Sequence, residues 1–187
     1  MKILFIVGSL RKGSFNRQIA EKAAEFLQGK ATVEFLDYAD VPFMNEDIEF
    51  PAPESVTAMR EKVQQADGLW FFTPEYNHSY SGVLKNAIDW LSRPIIDDAH
   101  QSGRRILPGK PAAISGGSGM SGTLCAQDNL VSLLSFLNLD VMNVPRLTIQ
   151  NVSDKAKDGR LDLADSMPYI ERQATAFLEF IKTKIKP

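Results

Sequence analysis

The segment 8–16 has the composition of an anion-binding loop. It follows the apolar run 3–7 directly and precedes a helical pattern, which predicts a turn between a strand and a helix. Backbone amides at such a turn, together with the partial positive charge of a helix N-terminus, favour an anionic group. The loop adds two serine hydroxyls, an amide and a guanidinium, which suit a phosphate. A polar surface loop that satisfies its own hydrogen bonds remains an alternative for this segment alone.

The glycines of this loop argue against one class of phosphate site. Gly8 and Gly13 have the spacing of a nucleoside-triphosphate loop, but Ser14 stands where that motif has its lysine. Because that lysine contacts the terminal phosphates, a triphosphate is not the expected ligand.

A second polar segment, residues 73–79, follows another apolar run. Pro74 ends the predicted strand. Tyr76 offers a flat aromatic face, and Asn77 with nearby backbone groups offers donors and acceptors to the edge of a heteroaromatic ring. An ordinary proline turn with a packed tyrosine is the alternative.

A third loop, residues 115–122, matches the dinucleotide-binding pattern G-x-G-x-x-G. Gly117, Gly119 and Gly122 follow a predicted strand and open a helix, and Asp140 lies at about the expected distance for the acidic residue. A Rossmann dehydrogenase is therefore one hypothesis. Against it, the match follows the fourth strand of the chain, and few residues remain beyond it to build a second nucleotide-binding half.

Composition excludes several other classes of protein. The 187 residues suit a single domain over 1–187. The net charge of −2 and the scattered basic residues are unlike a nucleic-acid binder. No apolar run approaches the roughly 20 residues that cross a bilayer, so we expect no membrane contact and a cytoplasmic location. With one cysteine and two histidines we predict neither a disulfide framework nor a metal site, and Cys125 is predicted as a small buried residue.

Apolar runs and helical patterns alternate along the whole chain, which predicts βαβ units in a parallel sheet. The predicted strands lie at residues 2–7, 32–38, 68–73, 111–115 and 141–144. The last of five predicted helices has the clearest apolar stripe, which comprises Leu163, Met167, Ile170, Ala174, Phe177, Ile181 and Ile185. The uninterrupted apolar first strand indicates a central position, whereas the second strand suits an edge.

This inventory is that of an α/β, flavodoxin-like three-layer sandwich. Its five-stranded parallel sheet has the order 2-1-3-4-5, with helices on both faces. Ligands of such sheets bind beyond the carboxyl ends of the strands, where the strand order reverses. The loops after strands one, three and four are therefore the candidate site.

The pairing of segment 8–16 with Pro74-Glu75-Tyr76-Asn77 and with segment 84–90 resembles the NADPH-dependent FMN reductase family, in order and over nearly the whole chain. That family includes bacterial quinone, azo-dye and chromate reductases. The resemblance implies an FMN site with three walls: Ser9, Arg11, Ser14, Phe15 and Asn16 at the phosphate, Pro74, Glu75, Tyr76 and Asn77 along the isoalloxazine, and Ser115, Gly116, Gly117 and Ser118 as the third wall.

The resemblance also implies a reaction. NAD(P)H passes a hydride to the flavin and leaves, and a quinone, free flavin, azo compound or oxyanion then takes the electrons in its place. No side chain is required as a nucleophile or proton donor, so no catalytic residue is predicted. Family members commonly form homodimers or homotetramers, and helix three and the loop before it, including Trp90, are candidate contact surfaces.

Two other functions stay open at this point. A flavodoxin-type electron carrier would bind the same cofactor and serve protein partners, although the near-neutral charge is unlike the strongly acidic carriers. A flavin-free binding or regulatory protein could use the same sheet. The polar segment 94–109 is expected to be either a lid or a mobile loop.

Overall fold

The computed structural model describes residues 1–95 and 105–184, in which strands and helices alternate. The strands are β1 Lys2–Val7, β2 Thr32–Phe35, β3 Gly68–Phe72, β4 Pro111–Gly117, β5 Asp140–Val141, β6 Leu147–Ile149, β7 Ala156–Lys157 and β8 Arg160–Leu161. The helices are α1 Phe15–Leu27, α2 Glu54–Gln65, α3 Gly82–Ser92, α4 Leu124–Phe136 and α5 Met167–Lys184. Within these described ranges no helix is both long and apolar enough to cross a membrane. Most of the segment 94–109, and Ile185 of the predicted stripe, lie outside the described residues.

One parallel sheet carries the candidate site. Its strands run in the order β2-β1-β3-β4-β5, and β6 also pairs with β4. The β1–β3 ladder ends at Val7↔Phe72, and the β3–β4 ladder ends at Phe72↔Ser115. The carboxyl ends of β1, β3 and β4 therefore lie side by side, and the predicted fold and strand order are confirmed.

The predicted fifth strand, residues 141–144, is wrong in its bounds. The structure has two short strands there: β5 pairs with the start of β4, and β6 pairs with its end. Pro145 lies between them, and a proline has no amide to donate to a ladder. The hairpin of β7 and β8 was not predicted.

Two predicted strand ends also move. β2 ends at Phe35 rather than at residue 38, because the chain leaves the ladder while Tyr38 stays buried and donates a hydrogen bond to the Val7 carbonyl over 2.6 Å. β4 continues to Gly117, two residues beyond the prediction. Ser115 and both following glycines are thus strand residues and not loop residues.

Each face of the sheet packs against its own apolar core. One core joins alternate residues of β1 and β3, such as Ile6 and Phe71, to α2, α3 and α4. The other joins Phe5, Trp70 and Phe177 to α1 and α5. Burial of β1 on both faces confirms its predicted central position.

The burial of Trp90 and of Cys125 differs from what their predicted roles require. Trp90 is fully buried, and its indole donates to the Pro42 carbonyl over 2.8 Å, so it is a core residue and is not available for subunit contact. Cys125 is exposed, which corrects the prediction of a buried cysteine. It lies off the stripe of α4, whose buried residues are Ala126, Gln127, Leu130 and Leu134.

Candidate functional site

The loop between β1 and α1 presents backbone amides that are free to bind an anion. Gly8 still belongs to the sheet, since its amide donates to the Phe72 carbonyl over 2.8 Å. Ser14 caps α1 by accepting a hydrogen bond from the Arg17 amide over 3.4 Å. Within the described part of the chain, the amides of residues 9–13 and of Phe15 and Asn16 have no acceptor. A run of free donors at a helix N-terminus fits a phosphate group.

The side chains of this loop divide into accessible and buried ones. Ser9 is half-buried, and Arg11 is exposed with its guanidinium 4.9 Å from the centre of the Phe15 ring. Phe15 itself packs against the core beside α1. Ser14 is buried and its oxygen is already an acceptor in the helix cap. Among these side chains, Ser9 and Arg11 are therefore the ones best placed to reach a ligand.

A cleft of about 490 Å³ borders this loop on the side of β2. Arg11, Lys12 and Arg17 line it together with Asp37 and Tyr38. Three cations against one carboxylate make the cleft electropositive, which favours anions near the loop. The predicted residues of the other two loops do not line this cleft.

A tight turn at the carboxyl end of β3 presents the predicted aromatic face. Tyr76 and Ser79 exchange backbone hydrogen bonds of 2.9 and 3.0 Å, and Asn77 and His78 adopt positive φ values of 51° and 59°. These angles are those of a type I′ turn, in which asparagine is a favoured residue. Tyr76 is 56% exposed at this turn. Pro74 is buried beneath it.

Glu75 joins two of the loops through its carboxylate. That group accepts hydrogen bonds from the Ser121 hydroxyl over 2.7 Å and from the Ala126 amide over 3.0 Å. Burial opposes ionisation of this carboxyl, but the hydrogen bonds from Ser121 and Ala126 and the nearby His78 together outweigh it and lower its pKa. The Glu75 side chain therefore ties the loop after β3 to the start of α4.

The two glycines that end β4 lie where the backbones approach closely. A Cβ on Gly116 would clash with the Thr73 carbonyl oxygen and with the Thr123 side chain. Asn16 is 96% buried. Its side-chain amide nitrogen donates to the Gly117 carbonyl over 3.0 Å, and its side-chain oxygen accepts from the Gly117 amide over 2.9 Å. Asn16 thus fixes the start of α1 to the end of β4.

Ser115 lies in the core and not in a wall of the site. It is fully buried, and its hydroxyl accepts from the Trp70 indole over 2.8 Å and donates to the Gln173 side chain over 2.6 Å. Ser118, three residues on, is half-buried and donates to the Glu75 carbonyl over 3.4 Å. Of the two serines predicted in the third wall, only Ser118 is placed to contact a ligand.

We expect Ser115→Ala to lower stability without weakening ligand binding. The variant leaves the Trp70 indole N–H and the Gln173 side-chain oxygen unpaired, which costs about 1 to 3 kcal/mol for each group in the free energy of unfolding. FMN affinity should stay within about twofold of the original, less than about 0.5 kcal/mol. Urea unfolding and a fluorescence titration with FMN measure both quantities. The matched variant Ser118→Ala should lower FMN affinity and leave the free energy of unfolding nearly unchanged. A large loss of FMN affinity in Ser115→Ala would contradict the placement of Ser115 in the core.

Ser81, which was not among the predicted site residues, links α3 to the first loop. Its hydroxyl donates to the Gly8 carbonyl over 2.6 Å and accepts from the Leu84 amide over 3.4 Å, so one buried side chain caps α3 and fixes Gly8. A serine directly before a helical pattern is an N-cap signal that could have found it.

The dinucleotide hypothesis for the third loop fails on the position of its acidic residue. Asp140 pairs in register with Pro111, at the amino end of β4, whereas Gly117 ends the same strand. Asp140 therefore lies at the amino ends of the strands, and Gly117 lies at their carboxyl ends. Asp140 instead forms an ion pair with Lys184 over 3.1 Å. The carboxylate cannot reach a ribose bound at the glycine loop.

Known proteins match this chain over most of its length. The model of a family described as NADPH-dependent FMN reductase matches residues 1–154. A 2-hydroxy-1,4-benzoquinone reductase from a Burkholderia species is 34% identical over 186 residues, which cover 98% of each chain. A quinone reductase from Escherichia coli K12 is 38% identical over 191 residues, which cover 97% of this chain and 96% of that protein. The solved structure of FerB, a flavoenzyme NAD(P)H:(acceptor) oxidoreductase from Paracoccus denitrificans, has a TM-score of 0.83 at 31% identity, with 98% of both chains covered. The chain therefore belongs to the NADPH-dependent FMN reductase family.

Proposed function

We propose that the protein uses FMN to pass electrons from NAD(P)H to a quinone. Membership of the family makes the chain an oxidoreductase that works with FMN and NAD(P)H. The quinone is taken from the names of the relatives, two of which are quinone reductases. The structural observation that best supports the proposal is the row of free amides at the first loop, next to two loops that are linked to it by hydrogen bonds.

The residues fit FMN in the following way. The amides of residues 9–13 and of the first turn of α1 would hold the phosphate, with Ser9 and Arg11 adding side-chain donors. The turn with Tyr76 and Asn77 and the end of β4 with Gly116 to Ser118 would flank the ring system. Asn16, Ser14 and Glu75 would act mainly by holding these walls in place.

When bound, FMN supplies the hydride and electron transfer that no side chain can perform, with donor and acceptor taking turns at one site. The polypeptide binds the phosphate, orients the ring system and offers Tyr76 as an exposed aromatic surface beside it. No proton donor or nucleophile is assigned. Free flavin, azo compounds and metal oxyanions are alternative acceptors within the same proposal.

A homodimer or homotetramer, a cytoplasmic location and a single domain over residues 1–187 also remain predictions. Large apolar side chains that a subunit contact could bury are exposed: Met120 is 85% exposed, Phe43 83% and Phe136 81%.

The proposal is tested by cofactor content and turnover. Purified protein should be yellow, should release FMN on denaturation, and should oxidise NADPH or NADH when benzoquinone is added. A panel with both nicotinamides and with quinone, free flavin, azo dye and chromate ranks the acceptors. If the FMN-loaded protein consumes neither nicotinamide with quinone present, the reductase proposal is wrong and an electron carrier becomes the better interpretation. If no FMN binds at micromolar concentration, the flavin site itself is wrong.

A further inference from the structure

Three side chains of metal-binding type converge beside the turn after β3. They are the carboxylate of Glu75, the imidazole of His78 and the thiol of Cys125, and their ligand atoms all lie within 4.8 Å of one another. The Nδ1 atom of His78 is 3.7 Å from the Oε1 atom of Glu75. In the described residues this is the only group of three or more histidine, cysteine and acidic side chains arranged in this way.

The chemistry of the three ligands selects among metal ions. Hard cations such as Mg²⁺ and Ca²⁺ prefer oxygen ligands throughout, whereas Zn²⁺ accepts thiolate, imidazole and carboxylate in one tetrahedral site. Zinc–ligand bonds of about 2.0 to 2.3 Å place neighbouring ligand atoms roughly 3.3 to 3.8 Å apart. The present separations, which are at most 4.8 Å, therefore need to shrink by about 1.5 Å at most. Rotation of exposed side chains can supply this movement.

The Glu75 carboxylate is held in place, whereas the exposed side chains of His78 and Cys125 can adjust to a metal ion. The Glu75 side chain is 95% buried and is held by Ser121 and Ala126, but each carboxylate oxygen keeps a further lone pair. The His78 side chain is 82% exposed and free to rotate. Its backbone is fixed by the tight turn and by Asn129, whose amide donates to the His78 carbonyl over 2.9 Å.

The third ligand, Cys125, is accessible to a metal ion. It lies in the first turn of α4, and its side chain is exposed. The next residue, Ala126, donates its amide to the Glu75 carboxylate over 3.0 Å, which fixes that carboxylate beside the start of α4. The cluster thus combines a buried carboxylate that is already in place with an accessible soft ligand.

We propose that Glu75, His78 and Cys125 bind one Zn²⁺ ion and leave its fourth coordination position open. The bound ion ties the turn with Tyr76 and Asn77 to the start of α4. This restrains a loop that the proposed function places beside the flavin ring. Zinc binding itself does not depend on that function, since none of the three ligand atoms belongs to the free amides of the first loop.

The test is a calorimetric titration of the full chain with ZnCl₂, after metal removal by a chelator and dialysis with a phosphine reductant. We expect one ion per chain and a dissociation constant in the micromolar range or below. Cys125→Ser and His78→Ala should each weaken binding by about tenfold or more. Both side chains are exposed, so circular dichroism should show folded variants. The matched control His100→Ala removes the only other histidine of the chain and should bind zinc as before.

The visible absorbance of bound Co²⁺ is a second measurement on the same site. Tetrahedral Co²⁺ absorbs visible light at longer wavelengths than oxidised flavin, so its bands can be followed in the FMN-loaded protein. These bands should appear at one equivalent and be absent in Cys125→Ser. The proposal is overturned if zinc fails to bind stoichiometrically at micromolar concentration. It is also overturned if either Cys125→Ser or His78→Ala binds zinc as tightly as the original, because the site then does not contain all three ligands.

Discussion

Gly116→Ala is expected to destabilise the protein by about 3 kcal/mol and to abolish FMN binding at micromolar concentration. The new Cβ would lie closer to the Thr73 carbonyl oxygen than the sum of the two van der Waals radii allows, and 2.7 Å from Oγ1 of Thr123. The first neighbour is backbone and cannot rotate away. The ends of β3 and β4 must therefore separate, and these ends carry two of the three walls of the proposed flavin site.

The matched control for this variant is Gly119→Ala, three residues further along the chain, in the loop after β4. A Cβ on Gly119 has no neighbour within 4 Å, and its backbone does not need a positive φ. Urea unfolding should give nearly the original stability, and FMN fluorescence titration should give nearly the original affinity. Equal losses in the two variants would show that the loop tolerates no side chain for reasons other than the close approach of β3 and β4.

Asn16→Ala is expected to cost about 2 to 6 kcal/mol in stability, because it leaves both buried backbone groups of Gly117 without their partner at about 1 to 3 kcal/mol each. The dissociation constant for FMN should rise by about tenfold or more, since the first loop is no longer fixed to β4. The same unfolding and titration experiments measure both effects.

Asn45→Ala is the control for the loss of an asparagine side chain. Asn45 is exposed, and its oxygen accepts one hydrogen bond from the Asp47 amide over 3.0 Å, far along the chain from the three loops. Its replacement should cost at most about 1 kcal/mol and leave FMN affinity unchanged. Comparable losses in Asn16→Ala and Asn45→Ala would refute the special role of the contact with Gly117.

Local patterns predicted those parts of the fold that depend on local physics. The apolar runs of β1 and β3 indicated strands buried on both faces. The fifth strand was misjudged because Pro145 splits an apolar run into two ladders, and only the pairing with β4 shows where each begins.

Roles within the candidate site depended on contacts that the sequence does not display. Asn16 and Gly117 are 101 positions apart, so nothing near Asn16 indicates that its side chain binds backbone instead of ligand. Ser115 was assigned to a wall because β4 was expected to end there. The strand continues to Gly117, and the hydroxyl of Ser115 points into the core.

A count of residue types does not show which side chains the fold brings together. One cysteine and two histidines predicted no metal site, and the zinc titration described above tests that prediction; the count left out carboxylates and took Cys125 to be buried. The fold places that exposed cysteine beside His78 and Glu75. The surroundings of a single residue on α4 are set by which face of the helix packs inward.

The most direct test of the reductase function is an anaerobic titration of the FMN-loaded protein, followed by flavin absorbance. Addition of NADPH or NADH should bleach the oxidised flavin band, and one equivalent of benzoquinone should restore it. This result would show that donor and acceptor react with the same bound cofactor in turn. If neither nicotinamide changes the flavin absorbance, or if quinone fails to restore it, the proposed function is contradicted.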